Sequence, residues 1–187
     1  MAKRILLLAS GRGTLANAIL EAQKLGLIEV DIVGLISDKD AKVLDIARSF
    51  GVPEFLIEVT SDRKAWDQEI FDQSLLLKPD LVVSVGFMRI LAPAYVEAFT
   101  VINTHPSLLP LFPGAHAVRD ALAAGQTQTG STVHRVDAGL DTGPVIAQVV
   151  VPIEPTDDEP KLHERIKIVE RALIVETLVK YGRTGLL

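Results

Sequence analysis

The chain contains no cysteine. Disulfides and thiolate metal sites are therefore excluded, and a cytoplasmic home is expected rather than an oxidising one. Long apolar runs are also missing. The best candidate, Leu81 to Val96, is interrupted by Arg89 and turn residues, whereas a membrane span needs roughly 20 mostly apolar residues. Behind Lys3 and Arg4 the apolar run covers only Ile5 to Ala9, short of the roughly 7–15 residues of a signal-peptide core. It reads as a first buried strand, and no membrane partner is expected. Basic charge is scarce too. Nineteen Lys and Arg stand against 24 Asp and Glu, giving a net charge of −5, so nucleic acid is not an expected partner. The four histidines show no helical metal-ligand spacing, and no metal is expected. No Walker A lysine follows the glycine-rich stretch near the N-terminus, which argues against a nucleoside triphosphatase.

What remains is a 187-residue chain, 48% hydrophobic, with material for one core and one domain over residues 1–187. Short apolar runs, ILLLAS, VDIVGLIS, DLVVSVG and VINTH, are rich in branched aliphatics and do not alternate with polar residues. Continuous apolarity is what a parallel strand covered on both faces requires. Between them TLANAILEAQKLG, KVLDIARSF and SDRKAWDQEIFDQSLLLK read as helices. Gly26 stops the first, and Ser61 or Thr60 is the expected N-cap of the third. This alternation predicts an α/β fold, Rossmann-like, with a mostly parallel central sheet flanked by helices. Farther on, TGSTVHRV and PVIAQVVVPI, joined by DAGLDTG, predict an antiparallel or mixed extension. A last helix over about residues 158 to 180 has Leu162, Ile166, Val169 and Leu173 as its buried stripe.

Two stretches carry chemistry. Gly11, Gly13 and Ala16 in SGRGTLA match G-x-G-x-x-A after a strand, and Asp38 lies at about the distance of a ribose-binding acid, so a nicotinamide dinucleotide enzyme is one reading. The narrower content is an anion site. Helix N-terminal amides, left open by glycines, suit a phosphate, with Thr14 adding a hydroxyl and Arg12 a charge. A plain tight turn is the bland alternative.

The second stretch is INTHPSLLP. Asn103 and His105 point to one side of a strand and Thr104 to the other. They close that strand at its carboxyl end, where open α/β sheets bind ligands. An imidazole exchanges protons near neutral pH, and an amide hydrogen-bonds a developing oxyanion without titrating. Pro106 keeps His105 extended. Asp141, in DAGLDTGP, fits a turn equally well, but an acid beside the histidine would raise its pKa and orient it. His116 and His134 are further candidates, supporting or structural in role, and His163 falls on the last helix. A turn-capping Asn beside a structural His is the competing reading.

GFMRIL at 86–91, NTHPSLLP at 103–110, FPGAHAVRDAL at 112–122, GSTVH at 130–134 and LDTGPVIAQ at 140–148 resemble the folate-dependent formyltransferases. With SGRGT and the chain length, the similarity is to the branch acting on glycinamide ribonucleotide. The resemblance implies transfer of the formyl group of 10-formyltetrahydrofolate, a co-substrate, to the amine of 5'-phosphoribosylglycinamide in purine (IMP) biosynthesis. It implies that Asn103 and His105 stabilise and protonate the tetrahedral intermediate while Asp141 supports His105 and proton transfer through water. It places Gly11, Arg12, Gly13, Thr14, Leu15 and Glu170 at the ribonucleotide. It places Arg63, Met88, Arg89, Ile90, Leu91 and Asn103 at the folate, with Asp137, Ala138, Gly139, Leu140 and Asp141 as the facing loop. The N-terminal half would then hold the ribonucleotide phosphate, and the C-terminal half the folate and the catalytic groups. Leu15 stands where the family usually carries Asn, and Leu111 where Lys is common. A formyltetrahydrofolate hydrolase or a tRNA-formylating relative is the alternative within the superfamily, although those normally carry additional domains. A noncatalytic phosphate-binding module is the alternative outside it, and a homodimer is as open as a monomer.

Overall fold

The computed structural model describes residues 2–187. In chain order the elements are β1 (Lys3–Ala9), α1 (Thr14–Lys24), β2 (Val30–Ser37), α2 (Lys42–Ser49), β3 (Glu54–Leu56), α3 (Arg63–Leu77) and β4 (Leu81–Ser84). They continue with α4 (Pro93–Ala98), β5 (Val101–His105), α5 (Ala117–Ala123), β6 (Gln128–Arg135), β7 (Val145–Pro152) and α6 (Glu159–Thr184). The seven strands form one sheet in the order β3-β2-β1-β4-β5-β6-β7. β1 to β5 are parallel, and β6 and β7 are added antiparallel, one of the two arrangements expected for the TGSTVHRV and PVIAQVVVPI runs.

Alternate residues of β1 serve opposite cores. Ile5, Leu7 and Ala9 pack with Leu15, Ile19 and Leu20 of α1, Val43 of α2, and Ile174 and Leu178 of α6. Leu6 and Leu8 pack with Trp66 and Ile70 of α3 and Tyr95 of α4. Each such side chain, fully buried, contributes roughly 1.5–3 kcal/mol, which is why β1 tolerates no polar alternation. Strand order reverses between β1 and β4, and the crevice that reversal opens lies beyond their carboxyl ends. Ser10, Val85 and Asn103 surround it.

Local differences from the sequence reading have physical causes. Asp62, not Ser61 or Thr60, caps α3: its side chain accepts from the Ala65 amide at 3.1 Å. β3, α4 and α5 are three, six and seven residues long, too short for a periodic signal. α6 runs to Thr184, four residues past the expected end, and stops at Gly185 with φ 69. Its stripe continues through Ile174, Leu178 and Tyr181. Among the described residues no helix is long and apolar enough to cross a membrane.

Candidate active site

β5 carries the polar strand end. Val101 belongs to the core under α3 and Ile102 to the core under α6, so alternation sends Asn103 and His105 to the α3 side and Thr104 to the α6 side. Antiparallel pairing then sets Asn103 opposite His134 and His105 opposite Thr132.

The Asn103 amide is clamped at both ends. Its Oδ1 accepts from Ser84 Oγ at 2.7 Å, and its Nδ2 lies 3.3 Å from His134 Nε2. His134 Nδ1 sits 3.0 Å from the Arg135 carbonyl, which can only accept, so the proton is on Nδ1 and Nε2 presents a lone pair. Burial pushes the His134 pKa down and favours this neutral ring. The network therefore assigns the amide its orientation and leaves one Nδ2 hydrogen without an acceptor among the described residues.

His105 is anchored in the same manner. Its Nε2 donates to the Phe112 carbonyl at 2.8 Å, so Nδ1 is the nitrogen available for proton exchange. That Nδ1 stands 3.4 Å from Asp141 Oδ2, while Asp141 Oδ1 is 3.5 Å from His134 Nε2. Asp141 Oδ2 also accepts from the Gly114 amide at 2.8 Å. Both groups that hold His105 come from left-handed backbone, Phe112 at φ 51 and Asp141 at φ 55. Aspartate tolerates that region, but for phenylalanine it costs about 1–2 kcal/mol. The strain aims a carbonyl at the imidazole. In the facing loop, Asp137 Oδ1 accepts from the Gly139 amide at 3.0 Å and from Thr142 Oγ1 at 2.8 Å, closing the turn that presents Asp141.

The 86–91 segment is tied at three successive residues. Met88 N–H donates to Ser10 Oγ at 2.8 Å, Arg89 Nε to Asp38 Oδ2 at 2.6 Å, and Arg63 Nη2 to the Ile90 carbonyl. Arg63 also pairs with Asp67 at 2.8 Å and lies over the Trp66 ring. Met88 and Ile90 are exposed, as are Leu140 and Leu111, whereas the Leu91 side chain is buried and offers only backbone. Asp38 is buried against Arg89, so its carboxylate is not presented to a ribose and the nicotinamide reading loses its acid.

At the other end of the crevice, Gly13 caps α1 at φ 75 with no side-chain cap, leaving first-turn amides for an external acceptor. Leu15 points into the core, which leaves only its amide to serve a ligand, and Arg12 and Thr14 are exposed. Glu170 is buried on α6 facing the Thr104 hydroxyl, and burial raises its pKa above the usual carboxylate range. Thr104 Oγ1 has no hydrogen-bond partner among the described residues.

Comparison with known proteins places this arrangement. Residues 3–178 match the family model described as Formyl transferase. The phosphoribosylglycinamide formyltransferase of Mycobacterium tuberculosis is 45% identical over 97% of this chain and 86% of its own. That of Escherichia coli is 38% identical over 90% of this chain and 82% of its own. The chain belongs to the phosphoribosylglycinamide formyltransferase family. The crystal structure of glycinamide ribonucleotide transformylase 1 from Symbiobacterium toebii superposes with a TM-score of 0.94 at 36% identity, covering 100% of this chain and 90% of that one.

In this phosphoribosylglycinamide formyltransferase family member, Asn103, His105 and Asp141 converge, with the neutral His134 ring accepting from the amide and lying 3.5 Å from the acid. His116 is exposed at the start of α5, and His163 lies on α6 away from the cluster. Sequence reasoning missed Ser84, Ser10 and Gly114. The two serines end apolar strands much as Asn103 does, and that hydroxyl signal was readable. Gly114 contributes a backbone amide, which no side-chain pattern announces. Gly13 yields a direct prediction: a Cβ there would meet Val43 Cγ2 at 2.7 Å and its Cα at 3.0 Å. Gly13→Ala is expected to cost at least about 1–2 kcal/mol for its left-handed backbone and to raise the KM of any substrate whose anionic group is held at the first-turn amides of α1. Thermal denaturation and steady-state kinetics check both.

Proposed function

We propose that the chain transfers the formyl group of 10-formyltetrahydrofolate to the amine of 5'-phosphoribosylglycinamide. The observation that carries the reading is the convergence of a free amide N–H on Asn103, the open Nδ1 of His105 and the Asp141 carboxylate. It occurs in a chain whose relatives bear the name of that activity.

The chemistry follows from the groups. The substrate amine attacks the formyl carbon, a C–N bond forms, and the carbonyl π pair moves to oxygen. Asn103 Nδ2–H and a proton on His105 Nδ1 stabilise that oxyanion. The new ammonium nitrogen passes its proton to the Asp141 carboxylate through water. Asp141 returns that proton through the same water to the folate nitrogen as the oxyanion pair re-forms the carbonyl and the bond to that nitrogen breaks, which leaves the carboxylate ready for the next turnover. One proton has moved from the attacking amine to the leaving one. The α1 amides with Arg12 and Thr14 hold the phosphate, Glu170 faces the glycinamide end, and Met88 to Leu91 with Asp137 to Asp141 enclose the folate. The residue range 1–187 acts as one catalytic domain on this reading.

The test is to incubate the protein with 10-formyltetrahydrofolate, with and without 5'-phosphoribosylglycinamide, and follow folate release. Release dependent on the ribonucleotide is expected. Equal release without it would make the protein a hydrolase, and no release in either arm would overturn the assignment.

A further inference from the structure

We infer that Asp38 is a positioning residue for folate binding, acting through Arg89; this rests on the folate role proposed above for residues 86–91. Asp38 follows β2, whereas the segment it grips follows β4, so the contact joins two loops 51 positions apart across the crevice. Its side chain is 1% exposed and Oδ2 accepts from Arg89 Nε at 2.6 Å. Oδ1 is buried with no hydrogen-bond partner among the described residues.

An isolated pair of this kind is a poor way to stabilise a fold. A carboxylate with one unpartnered buried oxygen carries a desolvation cost, and Arg89 is 42% exposed, so solvent weakens its side of the pair. An apolar residue at position 38 would serve packing at least as well. What the pair does supply is direction. Binding through Nε fixes the plane of the guanidinium and leaves Nη1 and Nη2 without partners among the described residues. It also pins Arg89 between Met88, tied to Ser10, and Ile90, tied to Arg63. Met88 and Ile90 are 71% and 70% exposed, so packing does not hold them; the polar ties on either side do. A segment preformed in this way binds its ligand without first being ordered.

Asp38→Asn keeps shape and loses charge; Arg89→Ala removes the gripped group from a half-exposed position. Both variants and the double variant are to be compared for folate KM, ribonucleotide KM, kcat and calorimetric Kd for tetrahydrofolate. Loss of one partially exposed charge-assisted bond is expected to raise folate KM and tetrahydrofolate Kd about tenfold, with a smaller change in kcat and in ribonucleotide KM. In the Arg89→Ala background Asp38→Asn is expected to add little, because its route is gone. An undiminished Asp38→Asn effect in that background would overturn the proposal. So would parallel rises in both KM values together with a lower Tm, since that pattern marks general loosening. Absence of formyl transfer in the unmodified protein would strike the function itself, while the tetrahydrofolate Kd still reports on Asp38.

Discussion

His105→Ala is expected to lower kcat by on the order of 10²–10⁴-fold, the range for loss of a positioned general acid or base. The ring stands 5% exposed with Nε2 committed to the Phe112 carbonyl, so the lost function is specifically that of Nδ1. No other side chain can replace it. The nearest imidazole, His134, carries its proton on Nδ1 toward Arg135, and its Nε2 faces Asn103. On the proposed placement of folate at Met88 to Leu91, folate is expected to bind nearly as well as before, because that segment is held by Ser10, Asp38 and Arg63, none of which contacts His105. Single-turnover formyl transfer and calorimetric folate binding separate the two quantities. A variant with near wild-type turnover would remove His105 from the chemistry, and parallel loss of folate binding would make its role structural.

The parts of this site legible in the sequence are those where side-chain chemistry contradicts its surroundings. Asn103 and His105 interrupt an apolar strand, and alternation alone places them on one side, as found. Glycine at position 13 announces left-handed backbone, and the structure has φ 75 there. Asp141 was visible only as a turn residue with a second use, because nothing local distinguishes an acid that shapes a loop from one that faces an imidazole. Its approach to His105 depends on β6 pairing with β5 and on the 137–143 loop folding back, both of which are long-range. Asp38 shows the reverse failure. Spacing alone suggested a ribose contact, but the loop after β4 brings Arg89 over it, and contact between distant loops has no signature in periodicity. The same reasoning accounts for the fold. The buried parallel strands and the longer helices declared themselves by composition and spacing, while α4 and α5, six and seven residues long, are set by what they cover.

Asp141→Asn is expected to reduce kcat on a scale similar to His105→Ala, on the order of 10²–10⁴-fold, with the fold intact. Asparagine is nearly isosteric, it enters left-handed backbone as readily as aspartate, and its Oδ1 can still accept from the Gly114 amide. Two properties are lost. The amide carries no charge toward the His105 ring at 3.4 Å, and it cannot take a proton from the attacking amine. Its NH₂ group would also turn donors toward the His134 lone pair that now accepts from Asn103, in competition with the clamp that orients that amide. The substitution therefore separates charge from shape. Unchanged Tm and folate Kd with a collapsed kcat would assign the carboxylate to chemistry. If kcat held near the wild-type value, the proton would have to leave by another route and Asp141 would be a turn residue after all. The comparison with Asp141→Ala sharpens this, because alanine removes the Gly114 contact as well. A further fall in kcat from Asn to Ala measures what holding the 112–114 backbone beneath His105 contributes, apart from the charge.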